Sequence, residues 1–208
     1  MPETHRQLGL DDILYAPRQT LRVPDFPCPP GWILDVGGGG EGVIGIVKGR
    51  QVVAIDTLRS ELAAVANDSL KIVMDARRMA FLDETFVAAT AFFSFLYMTG
   101  ADQAVVMREV WRVLSPGSQF WVWDVAMPEL AAERKLLFAL PLTIKLPVGR
   151  VIETGYAAPP KTQDLESLTE LAAAAGFKID QADRDGSIVQ MRLRKPQARE
   201  GCRQSAVE

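Results

Sequence analysis

Three aspartates and a run of glycines carry the chemistry that can be read from this chain. An apolar stretch, Trp32-Ile33-Leu34, leads through Asp35 into a loop holding four consecutive glycines, Gly37, Gly38, Gly39 and Gly40, followed by Glu41 and Gly42. Glycine alone combines freedom at positive φ with the absence of a Cβ, so such a loop suits a backbone that passes close to a ligand. A second apolar run, Val52-Val53-Ala54-Ile55, ends on Asp56 and Thr57, and a third, Ile72-Val73-Met74, ends on Asp75 and Ala76. Acids at the carboxyl ends of strands in an open α/β sheet lie where ligands bind. A carboxylate there can accept hydrogen bonds from an ammonium group, from both hydroxyls of a ribose, or from the amino edge of adenine. Strand, glycine loop, helix, strand and acid together point to an adenosine cofactor. Glu41 is expected at a helix N-terminus, where the dipole favours an acid, and points either outward or toward the ligand.

The elements that must position these groups alternate along the chain. Strand 32–36 precedes a helix starting near Gly42, strand 51–55 precedes a helix over 58–67, and strand 71–74 is followed by the apolar run Val87 to Phe93. Residues 101–114 place Ala104, Val105, Met107, Val110, Trp111 and Leu114 at helical spacing. Ser115-Pro116-Gly117 stops that helix before a strand over Phe120 to Val125. This βαβ rhythm predicts an α/β fold, a doubly wound and mostly parallel sheet of seven strands with a C-terminal antiparallel strand. An alanine-rich helix, Gln163 to Ala175, is closed by Gly176. Two strands follow, about 177–182 and 187–194, so closely joined by residues 183–186 that they form a hairpin.

Three segments lie outside the rhythm. Residues 1–31, rich in proline toward their end, are expected as an extension laid on the core, with one short helix near Leu10 to Tyr15. Residues 127–161 interrupt the core domain (32–194) with an apolar, proline-broken insertion, expected as a lid over the carboxyl edge of the sheet. Residues 195–208 are polar and expected to be a disordered tail.

At 208 residues, 48% apolar and with a net charge of −3, the chain is an ordinary single-domain core-former. The lack of a basic run argues against nucleic acid as a partner. Cys28 and Cys202 stand alone, and no cluster of histidine, cysteine or acid has metal-ligand spacing, so no metal is expected. The Leu136 to Val148 stretch is broken by Pro141, Lys145 and Pro147 and is too short to span a membrane. With no signal peptide visible, the expected location is the cytoplasm.

Gly37-x-Gly39-x-x-Gly42 satisfies the dinucleotide pattern, which leaves a nicotinamide-dependent oxidoreductase open. Asp35 pulls away from it, because a carboxylate two residues before the first glycine would crowd a pyrophosphate but suit an ammonium group. The closing hairpin, in place of a second mononucleotide-binding half, pulls the same way.

Ile33-Leu34-Asp35-Val36-Gly37-Gly38-Gly39, Val53-Ala54-Ile55-Asp56, Met74-Asp75-Ala76 with Met79-Ala80-Phe81, and Glu109-Val110-Trp111-Arg112-Val113-Leu114-Ser115-Pro116-Gly117 occur in order. In these motifs the chain resembles the class I S-adenosylmethionine-dependent methyltransferases, over residues 32–126 and more loosely 162–194. The resemblance implies S-adenosylmethionine as cofactor, held by Asp35, Gly37, Gly38, Gly39, Asp56, Thr57, Asp75, Ala76, Phe93 and Ser94, with Asp56 as the ribose acid. The pattern departs at Glu41, where the family's third glycine would fall, and at Phe86-Val87-Ala88, where the family carries an acid.

The methyl acceptor is expected to be a small, fairly apolar molecule, suggested by Leu136, Leu137, Phe138, Leu140, Ile144 and Leu146 in the insertion. The same residues would equally serve a homodimer interface. Tyr97, Asp124 and Tyr156 are the candidates for catalytic work, with Ser94, Glu153 and Thr154 as further substrate-facing groups. His5, the only histidine, lies in the polar N-terminus. A non-catalytic relative that keeps the fold as an adenosine-ligand or partner-binding module remains as a further alternative.

Overall fold

The computed structural model describes residues 9–128 and 135–197. His5, Cys202 and the rest of the tail from residue 198 lie outside the described residues.

Seven strands build the main sheet: β3 (Ile33–Val36), β4 (Val52–Asp56), β5 (Leu70–Val73), β6 (Phe86–Phe92), β7 (Leu114–Val125), β10 (Lys178–Asp185) and β11 (Ile188–Arg194). Their order across the sheet is β10-β11-β7-β6-β3-β4-β5. Only β11 runs against its neighbours, pairing antiparallel with both β7 and β10. The predicted α/β class and the single reversed final strand are both observed. Order reverses beside β3, whose neighbours are β4 and β6. At such a switch point the connections leave to opposite faces and open a crevice.

Short helices fill the crossovers: α1 (Val43–Lys48), α2 (Arg59–Ala64), α3 (Gly100–Val113) and α4 (Leu165–Ala174). α2 is shorter than the predicted span, ending where Val65 takes an extended backbone. α3 starts on Thr99, whose hydroxyl accepts from the amide of Asp102, and α4 on a reciprocal cap between Asp164 and Ser167. β10 runs to Asp185, so the hairpin turns on Gly186 (φ 59°) and Ser187 alone, tighter than the sequence predicts.

A second sheet of four strands was not foreseen. The insertion folds as an antiparallel hairpin of β8 (Leu137–Lys145) and β9 (Val151–Ala158), and the N-terminal segment supplies β1 (Ile13–Tyr15) and β2 (Gln19–Arg22), both parallel to β8. The predicted helix near Leu10 to Tyr15 is a single 3-10 turn, Leu10–Asp12, running straight into β1. Pro141 lies in β8 between the register of β1, which ends at Ala139, and that of β2, which begins at Leu142. Its missing N–H thus falls where neither neighbour needs a donor.

The insertion's apolar side chains are consumed inside the chain. Phe138, Leu140, Leu142, Ile144 and Leu146 are buried in one core cluster with Leu21, Phe26 and Trp123. Their surface is therefore not free for a homodimer contact, and only Leu136 of the apolar set is substantially exposed. Lys195, at the start of the polar tail, is also buried. Its ammonium donates to the carbonyl of Leu114 at 2.7 Å and lies over the Trp111 ring.

Candidate active site

A cavity of about 610 Å³ opens at the carboxyl ends of β3, β4, β5 and β6. Gly37, Gly39, Gly40 and Glu41 form one wall, and Asp56, Thr57 and Leu58 lie beside it. Met74, Asp75, Ala76, Arg77 and Asp102 close the far end, and Phe92, Phe93, Ser94, Tyr97, Gly155 and Tyr156 form the opposite wall. Of the residues singled out from sequence, Gly38, Asp35, Asp124, Glu153 and Thr154 do not line it.

The glycine loop needs its glycines at particular places. Gly37 has φ 70°, and a Cβ there would stand 2.5 Å from the Ser94 Cβ; a Cβ on Gly39 would stand 2.8 Å from an Asp56 oxygen. Any side chain at Gly39 would fill the space between the loop and the acid. Gly37 and Gly38 both donate to the carbonyl of Ile55, at 2.9 and 3.0 Å, which fixes the loop over the end of β4.

Asp35 lies beneath the loop. It is buried, and one oxygen accepts from the hydroxyl of Thr90 at 2.7 Å. Thr90 is its partner across the β3–β6 pairing, so only the sheet register reveals this contact. Burial pushes the Asp35 carboxyl up to about 7, against the Thr90 hydrogen bond and with the charge of Asp56 adding to the rise.

Asp56 ends β4 at the cavity rim, one oxygen accepting from the amide of Leu58 at 2.9 Å. Asp75 is gripped by Arg77, whose Nε lies 3.0 Å from each carboxylate oxygen and whose Nη2 lies 2.7 Å from one. These hydrogen bonds hold its carboxyl below the usual range. Arg77 also bonds Asp102 at 3.1 Å, an ion-paired rim that the sequence alone does not suggest. The loop behind Ala76 is pinned by Glu109, which accepts from the amide of Met79, and by Arg112, which donates to the carbonyls of Met79 and Phe81.

The opposite wall is aromatic. Tyr156 stacks on Phe93, with ring centroids 4.4 Å apart and planes 2° from parallel, and Phe93 holds a left-handed backbone at φ 50°. Strain of this kind persists where surroundings over-determine it, and it gathers at functional sites. Here the amide of Phe93 donates to the carbonyl of Trp123 at 2.7 Å. The Ser94 hydroxyl is buried without a hydrogen-bond partner among the described residues.

Glu41 points inward, across the cavity. Its carboxylate accepts from the hydroxyl of Tyr156 at 2.8 Å and from that of Thr154. Burial, then the charge of Glu41, raises the phenol of Tyr156 above its ordinary range, so it stays protonated and donates.

Asp124 is placed elsewhere. Fully buried, it accepts from the amides of Phe95 and Val125, both at 2.8 Å, and from Gln163 at 2.7 Å. It clamps the segment carrying Ser94 and Tyr97 from behind. Glu153 faces away, pairing with Arg18 and Thr143. No metal-holding cluster of histidine, cysteine or acid occurs among the described residues.

An open α/β sheet with a switch-point crevice, a glycine loop and an acid ending the next strand defines a Rossmann-like, adenosine-binding class of protein. Residues 34–122 match the family model described as a methyltransferase domain. The fold is that of S-adenosylmethionine-dependent methyltransferases: one from Methanosarcina mazei superposes with a TM-score of 0.56 at 18% identity, over 80% of this chain and 92% of that one. A [4+2]-cyclase, SpnF, shares the fold at a TM-score of 0.56 and 19% identity, over 81% of this chain and 77% of that one. In sequence, a sterol 4-C-methyltransferase of Caenorhabditis elegans is 43% identical over 60 residues, which span 28% of this chain and 17% of that protein. Residues 34–122 are thus similar to a methyltransferase domain within a fold that S-adenosylmethionine-dependent methyltransferases share, and S-adenosylmethionine is the cofactor that this likeness implies.

Proposed function

We propose that this protein transfers the methyl group of S-adenosylmethionine to a small, largely apolar molecule. The observation that carries the proposal is the pairing of walls in one cavity. A side-chain-free loop beside Asp56 faces the stacked rings of Phe93 and Tyr156. The residues present fit the cofactor: the space over Gly39 is one a single Cβ would fill, and the buried Ser94 hydroxyl has an unused hydrogen-bonding capacity.

In this reading Asp35 supports the methionine ammonium from beneath the loop. Asp56 accepts from the ribose hydroxyls, while Thr57, Asp75 and Ala76 bound the adenine. Phe93 and Ser94 lie toward the methyl group. The cofactor's sulfonium makes its methyl carbon electrophilic. The chain's part is then to align the acceptor and exclude water, with no strong base required. Phe92, Phe93, Met98, Tyr97 and Tyr156 supply the apolar surface for the acceptor, a role the insertion's core-buried leucines do not fill. The sterol substrate in the name of the matched relative supports an apolar acceptor.

The test is calorimetric titration with S-adenosylhomocysteine, followed by transfer of labelled methyl from S-adenosylmethionine to a panel of apolar and polar acceptors. Micromolar one-to-one binding with label entering apolar acceptors is expected. Stabilisation by NAD and none by S-adenosylmethionine would turn the reading toward an oxidoreductase. Cofactor binding without methyl consumption would place the chain with non-transferring users of the fold.

A further inference from the structure

The glycine loop and β9 come from distant parts of the chain, and the Glu41 side chain bridges them. Glu41 belongs to the glycine loop, whereas Thr154 and Tyr156 belong to β9, the edge of the second sheet. The residue between them, Gly155, lines the cavity as Glu41 does. Both donors that reach the Glu41 carboxylate are hydroxyls, a charge-assisted arrangement stronger than its neutral counterpart. Beyond Tyr156 the chain of contacts runs into Phe93 by ring stacking, and from Phe93 into β7 through its amide. Tyr156 is almost wholly buried, so its orientation is set by these two partners and not by solvent. β9 also meets the main domain through apolar packing and through the Ala157 backbone at the Tyr97 hydroxyl.

We infer that Glu41 is a positioning residue coupling the cofactor loop to the acceptor wall: it holds Tyr156 flat against Phe93 from the cofactor side, so occupancy of the glycine loop orders β9. The inference rests on the methyltransferase reading for the identity of the loop's ligand. It gives a physical reason for an acid where the resembled family carries a glycine. Glycine there would leave Tyr156 without its acceptor and β9 without these hydrogen bonds to the glycine loop.

Hydrogen–deuterium exchange on the full chain, with and without saturating S-adenosylhomocysteine, tests it. In wild type the ligand should slow exchange across residues 151–158. In Glu41→Ala the same segment should exchange about tenfold faster without ligand, and the ligand should no longer slow it. Glu41→Gln, whose amide can accept from one hydroxyl and donate to the other, should keep most of the protection. Tyr156→Phe, which retains the ring and loses only the hydroxyl, should reproduce the alanine variant and serves if that variant does not fold. Unchanged exchange of 151–158 in Glu41→Ala, or ligand protection that survives there, overturns the coupling. Complete loss of ligand binding in Glu41→Ala makes the residue a direct cofactor ligand and overturns the positioning role. A wild type that binds the ligand without protecting 151–158 overturns the coupling alone. A wild type that binds none overturns the coupling together with the methyltransferase reading.

Discussion

Two carboxylates near the ends of adjacent strands are set in different surroundings. Asp56 ends its strand at the cavity rim with one oxygen committed to a backbone amide. Asp35 is buried under the loop. Replacing Asp56 by alanine removes a charge-assisted acceptor worth roughly 2–4 kcal/mol, so affinity for S-adenosylhomocysteine should fall about 30- to 1,000-fold in calorimetric titration. Asp35 differs because its carboxyl is raised from 3.8 to about 7. A group raised in the folded state contributes stability that is fully present below its unfolded pKa and is lost as pH rises through the folded value. Between about pH 4 and pH 7 the ligand-free protein should therefore lose stability through Asp35, on the order of 3–4 kcal/mol. Asp35→Asn cannot ionise, so its melting temperature should gain on wild type as pH rises from 5 to 8. A cationic ligand group above the loop favours the ionised form. Cofactor affinity should then rise over the same interval in wild type and stay flat in Asp35→Asn. Equal pH profiles for the two proteins would remove Asp35 from the site.

At the scale of elements, the segment after β6 is fastened by buried side chains from behind the cavity. The Phe95 amide donates to Asp124, and the Phe95 carbonyl accepts from Gln103 at 2.9 Å and Lys161 at 2.7 Å. These contacts hold Ser94 and Tyr97 at the cavity while Phe93 keeps its unfavourable φ. Asp124→Ala would leave the buried amides of Phe95 and Val125 unpaired, and the Gln163 amide nitrogen with its contact to the Val125 carbonyl alone. The change should cost about 3 kcal/mol, lowering the melting temperature by roughly 6–12 °C in calorimetry. The glycine loop is governed by space. In Gly39→Ala the new methyl would stand 2.6 Å from the Glu61 Cβ and 2.8 Å from the Asp56 oxygen. Cofactor affinity should fall by at least about tenfold, with a smaller change in melting temperature than Asp124→Ala shows.

The whole molecule is two sheets packed around one apolar cluster, with a second cluster between the main sheet and α3 and α4. Leu21, from the N-terminal segment, is buried in the same cluster as Leu142 and Ile144 of the insertion and Trp123 of the main sheet. Leu21→Ala should therefore destabilise the entire protein by about 2–5 kcal/mol in urea unfolding, in a single transition and not through separate loss of the second sheet. Two transitions would show that the accessory sheet folds by itself. Among the described residues no helix is long and apolar enough to cross a membrane.

Much of this architecture is written in local pattern. The apolar runs ending at Asp35, Asp56 and Asp75, the glycines between them, and the helical spacing of residues 101–114 report backbone period and turn chemistry, which depend on near neighbours in the chain. The main sheet and the glycine-loop side of the cavity follow from them. The insertion also carried a local signal: Phe138, Leu140, Leu142 and Ile144 alternate with less buried residues along β8. Pro141 obscured it, because whether a proline can enter a strand depends on the ends of β1 and β2, more than a hundred residues away. The same reason separates the acids. Asp124 and Glu41 are both solitary carboxylates in the sequence. Only packing turns the first into a buried clamp and the second into a bridge between walls, since a carboxylate's task is set by the donors that long-range folding brings to it.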